Sequence, residues 1–142
     1  MARDDRDHPV LADLCDLRRV GAGDLHRRLH SGGRLIKRVL VYGLAIAGAS
    51  TVRALQRRGH DVVVADDHID DAKQDLANAL GVELLPTPLD PGAFACQFDL
   101  IVPAPGVPET HDLVAAARRV GVPLASEIEL GYRWEQERPG GP

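Results

Sequence analysis

Val39-Leu40-Val41-Tyr42-Gly43-Leu44-Ala45-Ile46-Ala47-Gly48 decides how the chain is read: four apolar residues run straight into a glycine-framed turn. The apolar run is short and does not alternate, the pattern of a strand buried on both faces of a parallel sheet. The turn matches Gly-x-Gly-x-x-Gly except that Ala45 takes the middle glycine position. In such a turn Gly43 permits a tight bend and Gly48 lets helix and strand pack closely. Free N–H groups at the helix start then face an incoming phosphate. Alone, the signal fits a plain strand-to-helix turn as well as a binding loop. Asp66 adds to it, standing twenty-three residues after Gly43 at the end of the next strand. An acidic residue there is placed to meet a ribose or base.

Working outward, the periodicity predicts a helix from about Ala47 to Arg58, with Val52 and Leu55 inward and Gly59 at its exit. Residues 61–65 form a second strand. Asp70 or Asp71 caps a helix that ends at Gly81, and residues 82–85 form a third strand. The stretch 86–98 is loop-rich, with one short helical turn after Pro91, and 100–102 is a fourth strand. Thr110 or Asp112 caps a helix carrying Leu113, Val114, Ala117 and Val120, residues 122–125 supply a fifth strand, and a last helix runs from Glu127 to Glu137. Strands alternating with helices through short connections specify an α/β, Rossmann-like three-layer domain. The expected sheet is five-stranded and parallel in the order 3-2-1-4-5, with a ligand crevice at the C-terminal strand ends.

Composition narrows the function classes. The 142 residues, 44% hydrophobic, suit one globular domain. Residues 39–142 hold eight Lys and Arg against fifteen Asp and Glu, which argues against a nucleic-acid surface. No apolar run approaches the roughly 20 residues of a membrane helix, so no membrane partner is expected. The charged N-terminus has no apolar core of a signal peptide, and a cytoplasmic location follows as the expectation. Cys15 and Cys96 have no metal spacing and are expected to be reduced thiols. Residues 1–33 read as an N-terminal extension, helical or flexible, in which Val10, Leu11, Leu14 and Leu17 fall at helical spacing.

The second half carries more specific signals. Pro103-Ala104-Pro105-Gly106-Val107-Pro108 follows the fourth strand, then His111, a helix, Gly121-Val122-Pro123, and Ser126-Glu127-Ile128-Glu129-Leu130. In order and spacing this set resembles the Mur ligases, their D-glutamate-adding branch above all, over about residues 39–134. The resemblance implies that the chain is the N-terminal, UDP-MurNAc-L-alanine-binding domain of an ATP-dependent ligase of peptidoglycan precursor synthesis. It implies that the turn shaped by Gly43 offers the N–H groups of Ala45, Ile46 and Ala47 to the diphosphate. Asp66, Asp67 and His68 would lie along uracil and ribose, and Gly106 over the other face of the uracil. UDP-MurNAc-L-alanine or a related uridine nucleotide is then the partner. The domain boundaries become 1–33 for the extension, 34–134 for the binding domain and 135–142 for the start of a linker.

The same resemblance assigns no catalytic residue, metal or cofactor to this chain. ATP and Mg2+ would belong to a central domain opened by a Gly-x-x-Gly-Lys-[Ser/Thr] loop. The sequence holds no Gly-Lys-[Ser/Thr], so ligation by this chain alone is not expected, and a separately encoded ligase core is a conceivable partner. Three positions depart from the family pattern: Ala45 for glycine, Ala47 for a threonine and Ala104 for a serine. They leave open either altered nucleotide-sugar binding or backbone contacts that suffice. Glu127 and Glu129, two apart on a helix, do not share a face and read as a dipole-favoured N-terminal carboxylate and a linker anchor. His111 reads as a loop or cap histidine. The competing reading is a nicotinamide- or nucleotide-sensing Rossmann regulatory module. It accounts for the turn and Asp66 but not for Pro105-Gly106 or residues 127–130.

Overall fold

The computed structural model describes residues 37–140, and the N-terminal extension read over 1–33, helical or flexible, lies outside the described residues. In chain order the elements are β1 (Arg38–Tyr42), α1 (Ile46–Arg57), β2 (Asp61–Ala65), α2 (Asp71–Leu80), β3 (Glu83–Leu85), α3 (Pro91–Ala95), β4 (Leu100–Pro103), α4 (Asp112–Val120) and α5 (Glu127–Gln136). The strands form one sheet in the order β3-β2-β1-β4, parallel throughout. Val41 pairs with Val64 on one side and with Val102 on the other, so β1 lies inside the sheet.

Burial on both faces explains why β1 reads as a continuous apolar run. Leu40 and Tyr42 join a core with Phe98, Leu113 and Ala117 beneath α3 and α4. Val39 and Val41 join another with Val52, Leu55, Ala77 and Leu130 beneath α1, α2 and α5. Alternate residues therefore point into opposite layers. Burying a Leu or Val side chain contributes about 1.5–3 kcal/mol. Val39, Leu40 and Val41 are all fully buried, so β1 is the strand the rest of the fold is built on.

The fifth strand is not formed as expected. Residues 122–125 run beside β4, but their pairing is a single parallel bridge between Ile101 and Leu124. The Ile101 N–H donates to the Pro123 carbonyl at 3.0 Å and the Ala125 N–H to the Ile101 carbonyl at 3.1 Å. Pro123 has no N–H to extend the ladder. The segment keeps the place of a fifth strand without its hydrogen bonding.

Four of the helices are capped by side chains that accept from the first turn. Asp70 accepts from the Lys73 N–H, Asp90 from Ala93, His111 from Leu113 and Ser126 from Glu129. Thr110 and Asp112, the expected caps of α4, are displaced by His111, whose ring nitrogen does what a Ser or Asp oxygen commonly does. Glu127 and Glu129 both fall in the first turn of α5, where the helix dipole favours them. Cys96 is disulfide-bonded, a correction to the reduced thiols expected; spacing along a chain does not report which side chains folding brings together. No helix among the described residues is long and apolar enough to cross a membrane.

Candidate functional site

The turn after β1 is built for close approach. Gly43 sits at φ 99°, a conformation that side chains rarely adopt. A Cβ there would also stand 2.8 Å from the Ala104 methyl. At Gly48 a Cβ would lie 2.4 Å from the Gly43 carbonyl oxygen, so α1 touches the turn through backbone. Both glycines are therefore required by geometry before any ligand is considered. Ala45, in contrast, has φ −107°, which any residue adopts. A methyl in the usual middle-glycine position costs no strain here.

Helix α1 differs from the other four. Its N-cap is Ala45, which supplies no side-chain hydrogen bond, and its first turn holds no acidic residue. The Ala49 N–H makes the first bond within the helix, to the Ala45 carbonyl. The N–H groups of Ala45, Ile46, Ala47 and Gly48 have no partner among the described residues. They gather at the positive end of a twelve-residue helix. Ala45 and Ile46 are exposed, Ile46 to 90%. An anion could reach these donors without displacing a side chain.

Asp66 locks the turn to β2. Its Oδ2 accepts the Leu44 N–H at 2.8 Å. Its Oδ1 accepts the His68 N–H at 2.8 Å and the Lys73 ammonium at 3.1 Å. The Gly43 N–H donates to the Ala65 carbonyl beside it at 2.8 Å. Burial pushes the Asp66 carboxyl up, but the His68 and Leu44 N–H groups and Lys73 outweigh it and hold it below its ordinary value. The residue is 7% exposed. Lys73 is fixed in turn, donating also to the His68 carbonyl at 2.8 Å.

Asp67 heads a second polar cluster. It accepts from the Tyr42 hydroxyl, from the Thr87 hydroxyl at 2.7 Å and from His111 Nε2 at 2.8 Å. Because His111 Nδ1 accepts the Leu113 N–H at 3.1 Å, the ring proton resides on Nε2 and is given to Asp67. Burial pushes the Asp67 carboxyl up, yet the donors Tyr42, Thr87 and His111 pull it down to about 2. The Tyr42 hydroxyl moves the other way: burial first, then the bond to Asp67, push it far above the usual phenol range. Asp67, Thr87, Pro88, Pro91, Thr110 and His111 line a groove of about 410 Å³.

All the residues singled out from the sequence stand at the C-terminal ends of the strands. Gly43, Ala45, Ile46 and Ala47 form the turn, Asp66 holds it, and Asp67 and His68 continue β2. Gly106 is exposed in the loop after β4, with no atom within 4 Å of where a Cβ would stand. Ala104 ties that loop to β1, its N–H donating to the Tyr42 carbonyl at 2.8 Å. Tyr42, Lys73, Thr87 and His111 were not picked out as partners of the two aspartates. One signal was available: a tyrosine ending a buried strand needs a hydrogen-bond partner for its hydroxyl. Among the described residues no three His, Cys, Asp or Glu side chains are grouped to hold a metal.

Residues 37–126 match the family model described as Mur ligase MurD-like, N-terminal domain. The chain is 40% identical over 100 residues to UDP-N-acetylmuramoylalanine–D-glutamate ligase of Myxococcus xanthus. It is 42% identical over 100 residues to the enzyme of that name from Pelotomaculum thermopropionicum. Each alignment covers 68% of this chain and 22% of the relative, so the chain spans about a fifth of the length of these proteins. Among solved structures, a pseudomurein peptide ligase type C from Methanothermus fervidus shares the fold, with a TM-score of 0.55 at 22% identity. That match covers 66% of this chain and 20% of the other. UDP-N-acetylmuramate-alanine ligase MurC from Thermotoga maritima gives a TM-score of 0.54 at 18% identity, over 70% of this chain and 22% of that one.

Proposed function

The chain belongs to the Mur ligase family as a MurD-like N-terminal domain, and from that premise we propose that it binds UDP-MurNAc-L-alanine or a closely related uridine nucleotide. The observation that carries this reading is the open N-terminus of α1. Every other helix described is closed by a side chain, whereas this one leaves its N–H groups at the C-terminal edge of the sheet. A diphosphate supplies the negative charge and the acceptors that such a terminus lacks. In this reading Gly43 shapes the turn, and the N–H groups of Ala45, Ile46 and Ala47 meet the diphosphate. Asp66, Asp67 and His68 border uracil and ribose, and Gly106 leaves room above the ring. With Ala45 unstrained, the departures at Ala45, Ala47 and Ala104 are compatible with binding through backbone groups.

The reading extends to the cell. We place the domain in the cytoplasm, in the D-glutamate-adding step of peptidoglycan precursor synthesis. ATP and Mg2+ would act in the rest of a ligase, joined to this domain in one chain or encoded apart. Ile46→Glu tests the site directly. A carboxylate in the first turn of α1 is favourable to the helix but repels a diphosphate at the same donors. Calorimetry should show UDP-MurNAc-L-alanine binding to the natural chain and at least about tenfold weaker binding to the variant, with unchanged thermal unfolding. Tight NADH binding with no uridine-nucleotide binding would reject the proposal in favour of a nicotinamide-binding module.

A further inference from the structure

The edge of the sheet opposite the glycine turn carries a second cavity, of about 410 Å³. Lys37 enters it from just before β1, Arg58 and His60 from the link between α1 and β2, and Arg133, Trp134 and Glu137 from the end of α5. Its floor is the buried Val39, Leu55 and Leu130. The wall therefore holds three permanent cations against one carboxylate. That carboxylate, Glu137, is already engaged, 3.3 Å from Arg58. Neither Lys37 nor Arg133 meets a carboxylate among the described residues. Cations are ordinary at helix C-termini, and α1 and α5 both end here, each offering roughly half a negative charge. Those two ends reduce the positive excess without cancelling it.

The wall is also held in place. The Arg58 guanidinium lies 4.3 Å from the Trp134 ring centre as well as against Glu137. His60 Nδ1 accepts the Lys37 N–H at 3.2 Å, which puts the neutral ring's proton on Nε2 and makes that atom a donor. Burial first, then the Lys37 and Arg58 charges, hold the His60 ring below its ordinary value. The twelve residues of α1 separate Arg58 from the open N–H groups at the helix start, about 18 Å at the rise of an α-helix. Exposed charges are felt over only roughly 8–10 Å in physiological salt. The two ends of α1 are therefore independent sites, and neither reading depends on the other.

We propose that this cavity binds a phosphoryl group, as inorganic phosphate or as the phosphate of a small metabolite. Lys37, Arg58 and Arg133 supply the counter-charge and His60 Nε2 a neutral donor. These donors come from three segments of the chain. A phosphoryl group spreads about −1.5 to −2 of charge over three acceptor oxygens and can face all three segments at once, whereas a carboxylate presents two oxygens in one plane. Hydrogen bonds between ionised partners are about twice as strong as neutral ones. A volume of about 410 Å³ exceeds one phosphate and leaves room for a small body beside Trp134.

The test is titration of the 142-residue chain with inorganic phosphate, phenyl phosphate and acetate, each against potassium chloride of equal ionic strength. Trp134, the one tryptophan, and the His60 ring protons seen by NMR both report from inside the cavity. Phosphate should change Trp134 fluorescence saturably and move the His60 titration upward, because the anion opposes the Lys37 and Arg58 charges. Acetate should bind at least about fivefold more weakly. Tighter binding of phenyl phosphate than of phosphate points to a phosphorylated metabolite, and equal binding to the free ion. The Lys37→Ala, Arg133→Ala double variant alters only exposed side chains. It should keep its far-ultraviolet circular dichroism and lose at least about tenfold in phosphate affinity. A response of Trp134 and His60 no larger than that to chloride overturns the inference. So does acetate binding as tightly as phosphate, or full affinity in the folded double variant.

Discussion

Gly48→Ala isolates the closest approach in the fold. The added methyl would stand 2.4 Å from the Gly43 carbonyl oxygen, against the 3.0 Å that real Cβ atoms observe. Relief requires roughly 0.6 Å of movement. The oxygen belongs to backbone whose own N–H is bonded to Ala65, and α1 is pinned by the buried Val52 and Leu55. Neither side gives easily. Overpacking of this kind costs about 1–3 kcal/mol or more, while alanine in a helix gains about 1 kcal/mol over glycine. The net expectation is a loss of about 1–2 kcal/mol. For a domain of this size that lowers the unfolding midpoint by roughly 5–15 °C, measured by far-ultraviolet circular dichroism. Gly131→Ala is the internal control. It lies within α5, and a Cβ there meets nothing within 4 Å. The same substitution should there raise stability by about 0.5–1 kcal/mol. If Gly48→Ala stabilises the protein as Gly131→Ala does, the turn has slack and the packing argument is wrong.

Two further outcomes follow from the electrostatics. The Asp67 carboxyl is depressed to about 2 in the folded chain, so its contribution to stability is complete above the unfolded value near 4 and is lost as pH falls toward 2. Urea midpoints of the natural chain should drop across that window, and Asp67→Asn should be less stable at neutral pH with a flatter profile below pH 4. At the opposite end of the sheet, the Arg58 guanidinium lies 4.3 Å from the Trp134 ring centre and 3.3 Å from the Glu137 carboxylate. Arg58→Ala should cost about 1 kcal/mol, and the fluorescence of Trp134, the chain's one tryptophan, should report the change.

The architecture was legible because hydrophobic periodicity records burial directly. β1 reads as an unbroken apolar run since both its faces are covered, and α1 shows Val52 and Leu55 at helical spacing for the same reason. The glycines of the turn were legible too, because the backbone approach that demands them is local. The fifth strand misled: 122–125 has the composition of a strand, but whether Pro123 interrupts a ladder depends on which side of the segment faces β4. The Asp67 cluster was out of reach for a different reason. Tyr42, Asp67, Thr87 and His111 come from four separate segments, brought within hydrogen-bond distance by the sheet order alone. His111 as a cap was readable from its place before α4; its second bond, across 44 positions of sequence, was not.

The shortness of β3 has an effect beyond the sheet's own ladder. A sheet with an exposed, fully hydrogen-bonding border is a template on which another chain can add a strand. Here the border strand β3 is only three residues long, with the exposed Glu83 at its start. So short a margin, opened by a charge, is a poor template for a further strand.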